Sequence, residues 1–267
     1  MVARAAIGLM VAAIIATLAR ATRSLSRGGA VTATGLGAIT TAAGYPWAIL
    51  LIAYFAASTL LSRFGAAEKE RLTGSIVAKG SQRDARQVLA NGGVFGVAVL
   101  GMLIQPGVWW TALAAGALAA SAADTWATEI GTRFGGVPRS ILSGRAVPVG
   151  TSGGVTVIGS LGTLAGAAFV AVVAMAVGWT RLTAVSAFAG GVVGALADSL
   201  IGATVQTRRW CDACGVATER VRHDCGSPTR IAGGIAGFDN DMVNLFSGIL
   251  GGAAATALFM AIFTNSR

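Results

Sequence analysis

Long apolar stretches separated by short polar ones dominate this sequence. They occupy residues 3–19, 29–44, 46–62, 92–106, 108–131, 154–178, 183–206 and 233–263. Most approach the roughly 20 residues that an α-helix needs to cross a bilayer. The pattern predicts an all-α fold, a transmembrane bundle of about eight helices. The whole chain, residues 1–267, is then a single integral membrane domain.

Basic residues are confined to alternate connections between these stretches. The first, third, fifth and seventh connections hold 17 of the 20 Lys and Arg residues, whereas the second and fourth hold none. Because short loops rich in Lys and Arg stay in the cytoplasm, the pattern predicts that these four connections are cytoplasmic and both termini are not. Three of them, at 63–91, 132–153 and 207–232, also carry the polar motifs described below.

Composition supports a membrane protein and argues against a nucleic-acid-binding one. The chain is 54% hydrophobic and 12% charged, with a mean hydropathy of +0.71, whereas soluble domains are about 25% charged. Its 38 glycines suit closely packed membrane helices. The net charge of +9 lies in connections without interleaved aromatic residues. This positive charge reflects either the membrane topology alone or a basic lining for a phosphorylated ligand.

Two carboxylates lie in the fifth apolar stretch, at Asp124 and Glu129. A charged side chain at the centre of a membrane helix costs about 2.5–3.5 kcal/mol on insertion scales, so it normally has a function. The two project about 140° apart on a helix, whereas Asp124 and Thr128 share a face. The alternative is a carboxylate that is protonated or neutralised by a buried arginine.

The Asp124 motif returns at Asp198. G-A-L-A-A-S-A-A-D-T precedes and includes Asp124-Thr125, and V-V-G-A-L-A-D-S ends in Asp198-Ser199. Both helices run in the same direction in the predicted topology, which indicates a parallel internal repeat. Two carboxylates at matched depth, with hydroxyl groups beside them, suit Mg²⁺. A proton relay in a transporter would use the same residues.

A glycine-rich segment, Gly150-Thr151-Ser152-Gly153-Gly154, precedes the sixth helix. Glycines let backbone N–H groups turn toward an anion, and a helix N-terminus adds its positive dipole end. With Arg139 and Arg145 nearby, the segment predicts a phosphate cradle, although its spacing matches no standard P-loop. A simple turn is the alternative.

Two further segments carry polar groups into helices. In the third connection, Arg83, Arg86 and Gln87 are predicted on one side of a helix, with Asn91 one turn beyond Gln87. They are either phosphate-binding donors or one face of a solvated helix. At the start of the last stretch, Asn240 and Asn244 share a face beside Asp241. These three suit metal or phosphate binding, while Asp239 suits an N-cap.

The seventh connection contains the only histidine and all the cysteines of the chain. Cys211, Cys214, His223 and Cys225 offer four soft ligands in a pattern close to a zinc knuckle. A disulfide is disfavoured in a cytoplasmic loop. The segment therefore predicts either a structural Zn²⁺ site or a cluster of unliganded thiols.

Taken in order, these motifs resemble the transmembrane protein 19 family, also called domain of unknown function 92. The motifs are A-D-T-x-A-T-E-I-G, V-P-x-G-T-x-G-G-V, D-S-x-x-G-A-T-x-Q, C-x-x-C…T-E…H-x-C-G and N-D-x-V-N, together with Q-x-x-x-N-G-G from Gln87 to Gly93. The resemblance covers nearly the whole chain. One departure is Gly-Phe-Asp before Asn240, where the family is expected to have a tryptophan–leucine pair.

The resemblance implies an activity, because one branch of this family consists of plant phytyl-phosphate kinases. It implies transfer of a phosphoryl group from a nucleoside triphosphate, with CTP as the expected donor, to an isoprenyl monophosphate in the membrane. Mg²⁺ is expected on Asp124 and Asp198. The catalytic candidates are Asp124, Glu129, Asp198, Asn240, Asp241 and Asn244. The substrate-binding candidates are Arg83, Arg86, Gln87, Asn91, Thr128, Arg139, Gly150, Thr151, Ser152, Gly153, Gly154 and Ser199.

Two other function classes stay open on the sequence. A proton- or cation-coupled transporter would also need carboxylates inside the membrane. A polyprenol kinase or cytidylyltransferase-like lipid enzyme would share both the membrane helices and the nucleotide. Every motif lies in, or next to, a connection predicted to be cytoplasmic, where nucleotides are available.

Overall fold

The computed structural model describes residues 2–80 and 82–265, and these form a helical bundle with short strands at one end. The helices in chain order are α1 (Val2–Ala21), α2 (Arg27–Ala43), α3 (Tyr45–Arg63), α4 (Ala66–Thr73), α5 (Ala85–Ile104), α6 (Trp109–Phe134), α7 (Val157–Ala176), α8 (Arg181–Thr204) and α9 (Asn240–Asn265). The strands are β1 (Arg139–Ser140), β2 (Gly154–Val155), β3 (Arg208–Cys211), β4 (Val216–Thr218) and β5 (Arg230–Gly233).

The expected polytopic helical membrane fold is confirmed, with eight long helices and the short α4 among the described residues. Six of the long helices are long and apolar enough to cross a membrane, namely α1, α3, α5, α7, α8 and α9. The other two long helices, α2 and α6, do not meet these criteria of length and apolar composition, for different reasons. Helix α2 has only 17 residues, and α6 carries Asp124 and Glu129 but lies at the centre of the bundle, where it needs little lipid-facing surface.

Helices α6 and α8 run parallel, as the repeat around Asp124 and Asp198 predicts. The hydroxyl groups of Thr111 and Thr183 lie 3.1 Å apart near the start of both helices. Further along, a Cβ at Gly194 would lie 2.3 Å from the Cβ of Ala120. The difference in residue number between neighbouring positions of α6 and α8 therefore stays nearly constant along the helices. Asp124 and Asp198 consequently lie at the same level.

Small residues allow this close packing. Helix α6 contacts α5, α7, α8 and α9, and every residue from Ala114 to Ala123 is buried, most of them alanines. A Cβ at Gly190 would lie 2.3 Å from the carbonyl oxygen of Gly251 on α9. Without a hydrophobic driving force between helices in lipid, such backbone-to-backbone contact supplies much of the packing energy.

The four basic connections meet at one end of the bundle, called the basic end below. They comprise residues 22–26, 64–84, 135–156 and 205–239. Hydrogen bonds join them to one another, from Ser26 N to Arg83 O (3.0 Å), from Glu219 N to Ile76 O (2.7 Å) and from Ser152 Oγ to Glu219 (2.8 Å). The connections at 105–108 and 177–180 lie at the opposite end, where Trp47 packs against Trp179 with ring centroids 4.9 Å apart.

Helix α5 begins at Ala85, where Asp84 and Gln87 form a reciprocal capping box, so the helix predicted around Arg86 and Gln87 continues into the fourth apolar stretch. Arg83 therefore precedes the helix and does not share a helical side with Arg86 and Gln87.

The last helix begins at Asn240, directly after the predicted N-cap, although the apolar stretch begins at residue 233. Residues 230–233 form β5, and the left-handed backbone of Gly234 and Gly237 prevents an earlier helical start. The predicted cap is confirmed, since the Asp239 carboxylate accepts a hydrogen bond from Met242 N (3.2 Å).

The connections expected to be loops contain small sheets. Strands β1 and β2, both within the connection between α6 and α7, form an antiparallel pair. A three-stranded antiparallel sheet of order β4-β3-β5 occupies the connection between α8 and α9. These sheets hold the polar motifs in defined positions over the basic end of the helices.

Candidate active site

A cavity of about 400 Å³ opens at the basic end, between α5, α6, α8 and α9 and under the connections. Six of the 11 acidic residues of the chain line it, with three cationic residues among the described part of the chain. The acids are Asp124, Glu129, Asp198, Glu219, Asp239 and Asp241, and the cations are Lys69, Lys79 and Arg83. A protein of net charge +9 thus contains a cavity with a formal charge of −3. Such a lining attracts cations.

The carboxylates of Asp124 and Asp198 face each other across α6 and α8, within hydrogen-bonding reach. The side chain of Ser247 on α9 also reaches Asp198. The Oδ2 atom of Asp198 is buried and has no hydrogen-bond partner among the described residues. Two ionised carboxylates so close together and away from bulk water repel each other, and a shared proton or a cation relieves this repulsion.

Lys79 joins two acids at the side of the cavity. Its Nζ lies 2.5 Å from Asp241 and 2.8 Å from Asp84. Burial would lower the pKa of Lys79, but the hydrogen bonds to the two carboxylates outweigh this and raise it. The Asp241 side chain is only 6% exposed, and Lys79 pairs with it at the start of α9.

Glu129 has a cationic partner from another element. Lys69 on α4 lies 2.7 Å from the Glu129 carboxylate, whose side chain is 8% exposed. Although Asp124 and Glu129 do not share a helical face, both line the cavity. Glu129 therefore has the cationic partner that the alternative to a functional carboxylate requires, although this partner is a lysine rather than an arginine.

The glycine-rich segment between β1 and α7 forms one wall. Gly150 and Gly153 have left-handed backbone conformations, with φ of +89° and +76°. A Cβ at Gly153 would lie 2.4 Å from Ala203 Cβ, so the glycine allows the turn to pack directly on α8. Helix α7 is capped by Thr156, which accepts a hydrogen bond from Gly159 N (2.9 Å).

The structure brings most of the predicted residues together. The residues in the cavity wall are Arg83, Gln87, Asn91, Asp124, Thr128, Glu129, Gly150, Thr151, Ser152, Gly153, Gly154, Asp198, Ser199, Asn240, Asp241 and Asn244.

Two predicted residues lie outside the cavity wall. The guanidinium of Arg139 donates to Gly144 O (2.9 Å) on an exposed hairpin. Arg86 is 63% exposed and lies 3.0 Å from Asp239 and 3.8 Å from Asp241, two acids of the cavity wall. A role of either arginine in ligand binding stays a prediction.

Among the charged and amide side chains of the cavity, four escaped the sequence reasoning, namely Lys69, Lys79, Gln206 and Glu219. Glu219 accepts hydrogen bonds from Ser152 Oγ (2.8 Å) and Gln206 Nε2 (2.6 Å). Both Gln206 and Glu219 are letters of the family motifs, as the final Q of D-S-x-x-G-A-T-x-Q and the E of T-E. That signal was present in the sequence, whereas nothing distinguished the two lysines from their basic neighbours.

The carboxyl group of Glu219 should make stability depend on pH. Burial raises the pKa of Glu219 above its ordinary value of 4.5, against hydrogen bonds from Ser152, Ala78 N and Gln206 that lower it, and nearby Asp239 raises it further. Since the folded state holds this proton more tightly than the unfolded chain, the stabilising contribution is present below pH 4.5. It is lost as the pH rises through the folded pKa.

Replacing Glu219 by a group that does not titrate tests this dependence. For Glu219→Gln in buffer without magnesium, the melting temperature relative to the unmodified protein should be higher at about pH 8 than at about pH 5. Thermal unfolding in detergent measures the difference. Glu68→Gln, at an exposed glutamate of α4, is the matched control. A difference for Glu219→Gln that is constant with pH would contradict the raised pKa.

The four predicted zinc ligands lie together outside this cavity. The ligand atoms of Cys211, Cys214, His223 and Cys225 are all within 4.8 Å of one another. Cys211 ends β3 and the other three lie in the connections of the three-stranded sheet, whereas Glu219, directly after β4, lines the cavity. The sequence prediction of a single cluster is thus matched by the spatial arrangement of these side chains.

Comparison with known proteins places the chain in a family. Residues 10–252 match the family described as integral membrane protein DUF92. Protein PGR of Arabidopsis thaliana is 28% identical over 270 aligned residues, covering 91% of each chain. An uncharacterized membrane protein of Synechocystis is 30% identical over 65% of this chain and 69% of its own length.

A second uncharacterized membrane protein, from Methanocaldococcus jannaschii, is 26% identical over 76% of this chain and 83% of its own length. No solved structure matches significantly. The family match extends over nearly all the helices and includes every element that lines the cavity. This chain therefore belongs to the DUF92 family of integral membrane proteins.

Proposed function

We propose that this protein is a membrane-embedded kinase that transfers the terminal phosphoryl group of a nucleoside triphosphate, with CTP as the expected donor, to an isoprenyl monophosphate. The product is the isoprenyl diphosphate. The observation that carries the proposal is the cavity at the basic end, where six carboxylates and three cations converge. Phosphoryl transfer requires positioning and charge neutralisation rather than covalent catalysis, and this lining offers both.

The donor set of the cavity fits Mg²⁺. Magnesium prefers carboxylate oxygens and retains water ligands, as it does when it bridges a protein and nucleotide phosphates. Asp124 and Asp198 would hold the ion, and the unpartnered buried Oδ2 of Asp198 is an oxygen left open for such a ligand. When bound, the ion would neutralise phosphate charge and orient the nucleotide.

A phosphorylated ligand also needs positive charge from the protein. Lys69 and Lys79 are engaged by carboxylates, whereas no carboxylate in the described part of the chain pairs with Arg83. Its guanidinium lies 5.9 Å from the Phe55 ring. Arg83 is therefore the cavity cation that is available to bind the acceptor phosphate.

An apolar groove between α1, α2, α3 and α5 adjoins the cavity and suits the isoprenyl chain. Its walls include Leu36, Leu51 and Phe55. Arg83, Gln87 and Asn91 line both the groove and the cavity. A ligand with an anionic head and an apolar tail fits this junction, because its phosphate would meet the shared polar residues while the tail follows the groove toward lipid.

The packing below the acids favours an enzyme over a transporter. Helix α6 fills the centre of the bundle with buried small residues from Ala114 to Ala123, and Trp47, Phe95 and Trp179 pack together toward the opposite end. The carboxylates thus lie in a cavity that is open toward the basic end. By the positive-inside rule this end faces the cytoplasm, where nucleotides are present.

Turnover tests the proposal directly. Purified protein in detergent with Mg²⁺ is incubated with each of the four nucleoside triphosphates, labelled in the terminal phosphate, and with phytyl or geranylgeranyl phosphate. A labelled isoprenyl diphosphate is expected, and mass spectrometry separates it from a nucleotidyl product. Failure of all combinations would reject the kinase, while a nucleotidyl product would indicate a cytidylyltransferase-like enzyme.

Arg83→Ala should weaken binding of the acceptor. The backbone of Arg83 is held by Ser24 and Ser26, so the substitution removes the guanidinium without disturbing the chain. A hydrogen bond to a charged group contributes about 1.5–3 kcal/mol, so KM for the isoprenyl phosphate should rise at least about tenfold. Steady-state kinetics at saturating nucleotide measure it.

Arg139→Ala is the matched control for this substitution, since its guanidinium lies on the exposed hairpin. KM should stay within about twofold of the unmodified value, as expected for an exposed residue. An equal effect of both substitutions would remove Arg83 from the acceptor site.

A further inference from the structure

We propose that Cys211, Cys214, His223 and Cys225 bind one Zn²⁺ ion, and that this ion holds the segment carrying Glu219 in place over the cavity. All four ligand atoms lie within 4.8 Å of one another, with no other histidine or cysteine in the chain. Three thiolates and one imidazole form a usual ligand set for structural zinc. The proposal does not depend on the kinase activity.

The distances within the cluster match tetrahedral zinc. The sulfur atoms of Cys211 and Cys225 lie 3.6 Å apart, and Nδ1 of His223 lies 3.4 Å from the Cys225 sulfur. Two sulfur ligands, each about 2.3 Å from a tetrahedral zinc, are about 3.8 Å apart. All three cysteines are free thiols. The side chains are thus placed to coordinate an ion with little rearrangement.

The backbone also curves around the cluster from two sides. Gly215 follows Cys214 with a φ of +65°, and Gly226 follows Cys225 with a φ of +83°. Such left-handed conformations favour glycine. Each glycine N–H closes a turn, Gly215 with Cys211 O (2.8 Å) and Gly226 with His223 O (2.9 Å). Both halves of the ligand set are therefore held in tight turns that end at a glycine.

The histidine ring is directed at the sulfur atoms. His223 is buried, and its Nδ1 atom lies 3.4 Å from the Cys225 sulfur. A zinc ligand must offer a ring nitrogen that faces the other ligands, and Nδ1 meets this condition. An ion bound at Nδ1 would fix the orientation of the ring.

The sheet that contains these residues has little apolar core of its own. Its strands have three or four residues, and its large apolar side chains are exposed, such as Val216, Val221 and Ile231. Small units that bury so little apolar surface are commonly stabilised by a metal. Zinc would supply the stability that packing does not.

This unit positions one side of the cavity. Strand β4 ends at Thr218, and three hydrogen bonds then join residues 218–220 to the carbonyl groups of residues 75–77. The donors are Thr218 Oγ1 (2.9 Å), Glu219 N (2.7 Å) and Arg220 Nε (3.0 Å). Glu219, one of the residues in this contact, lines the cavity. Lys79 follows residues 75–77 in the sequence and also lines the cavity. Both depend on the sheet staying folded.

Metal analysis of the purified full-length protein tests the site. About one zinc per chain is expected after expression with zinc in the medium. Cys214→Ser and His223→Ala should each weaken zinc binding by at least about tenfold. Even the loss of a residue that only hydrogen-bonds to a metal ligand lowers metal affinity by that much. Asp212→Asn and Asp224→Asn, two exposed carboxylates of the same segment, should keep the zinc.

Cobalt provides a spectroscopic check on the ligand set. Co²⁺ bound to the zinc-depleted protein should show the visible absorption of a tetrahedral thiolate complex, and Cys214→Ser should reduce its intensity. A protein without zinc, or one whose zinc is unchanged in both ligand variants, would overturn the site. These measurements need neither nucleotide nor isoprenyl phosphate, so their outcome is independent of the kinase assay.

Amide hydrogen exchange tests whether the ion positions Glu219. Chelation of zinc from the unmodified protein avoids variants that fail to fold. Exchange should become at least about tenfold faster in residues 75–79 and 208–225, which is a loss of about 1.4 kcal/mol in local opening free energy. Exchange in α6 should stay unchanged. Unchanged exchange in residues 75–79 and 216–220 after chelation would overturn the positioning role.

Discussion

Asp198→Asn should abolish turnover while leaving the fold intact. The substitution keeps the shape of the side chain but removes one of the two facing carboxylates on α6 and α8. A metal ligand that stabilises the transferring phosphoryl group contributes several kcal/mol, so the rate should fall about 10³-fold, equal to about 4 kcal/mol. Asp124→Asn should have an effect of similar size.

Two measurements separate lost chemistry from lost folding. Without magnesium, Asp198→Asn should unfold at the same temperature as the unmodified protein or higher, because it removes repulsion between two buried carboxylates. The stabilisation that Mg²⁺ gives the unmodified protein should disappear in the variant.

Asp212→Asn, at an exposed aspartate paired with Arg230, is the matched control and should retain turnover. If Asp198→Asn turned over at near the normal rate, Asp198 would not be a metal ligand, and the role of the pair in catalysis would have to be abandoned.

Gly190→Ala should destabilise the bundle and disturb the active site from a distance. Its Cβ would lie 2.3 Å from the carbonyl oxygen of Gly251 and 2.8 Å from the Cβ of Ala255 on α9. Because the obstructing atom belongs to the backbone, α8 and α9 must separate. Overpacking costs typically about 1–3 kcal/mol, and Asp198, two turns along α8, should move away from α9.

Unfolding of the purified protein in detergent measures the loss, and turnover measures the displacement of the site. Gly93→Ala on α5 is the control, since its Cβ would meet no atom within 4 Å. Alanine has the higher helix propensity, so this variant should be as stable as the original or more stable. Equal stability of Gly190→Ala and Gly93→Ala would show that α8 and α9 are less closely packed than described.

The sequence predicted the candidate site best where one helix carries the signal. Asp124 and Asp198 were identifiable because a carboxylate is costly in an apolar helix, and their equivalence was visible in the repeated small residues around them. Asn240, Asp241 and Asn244 stood out for the same reason. Each of these signals lies within one helix, so it can be recognised without knowledge of the tertiary structure.

Prediction failed where a residue acts through a partner far away in the sequence. Lys79 contacts Asp241, 162 residues later, and the Glu219 carboxylate accepts a hydrogen bond from Ala78 N, 141 residues earlier. No periodicity links such pairs. Arg139 is a second example, because the hairpin directs its guanidinium to Gly144 although the sequence places it close to the glycine-rich segment.

By itself, the sequence determined the membrane class, the order of the long helices and the grouping of basic residues in alternate connections. Each spanning helix satisfies its own backbone hydrogen bonds, so the information for it lies within one stretch of chain. Only the tertiary structure decided that six carboxylates meet three cations in one cavity. That convergence depends on how closely glycine and alanine faces let α6, α8 and α9 approach, and on hydrogen bonds between connections.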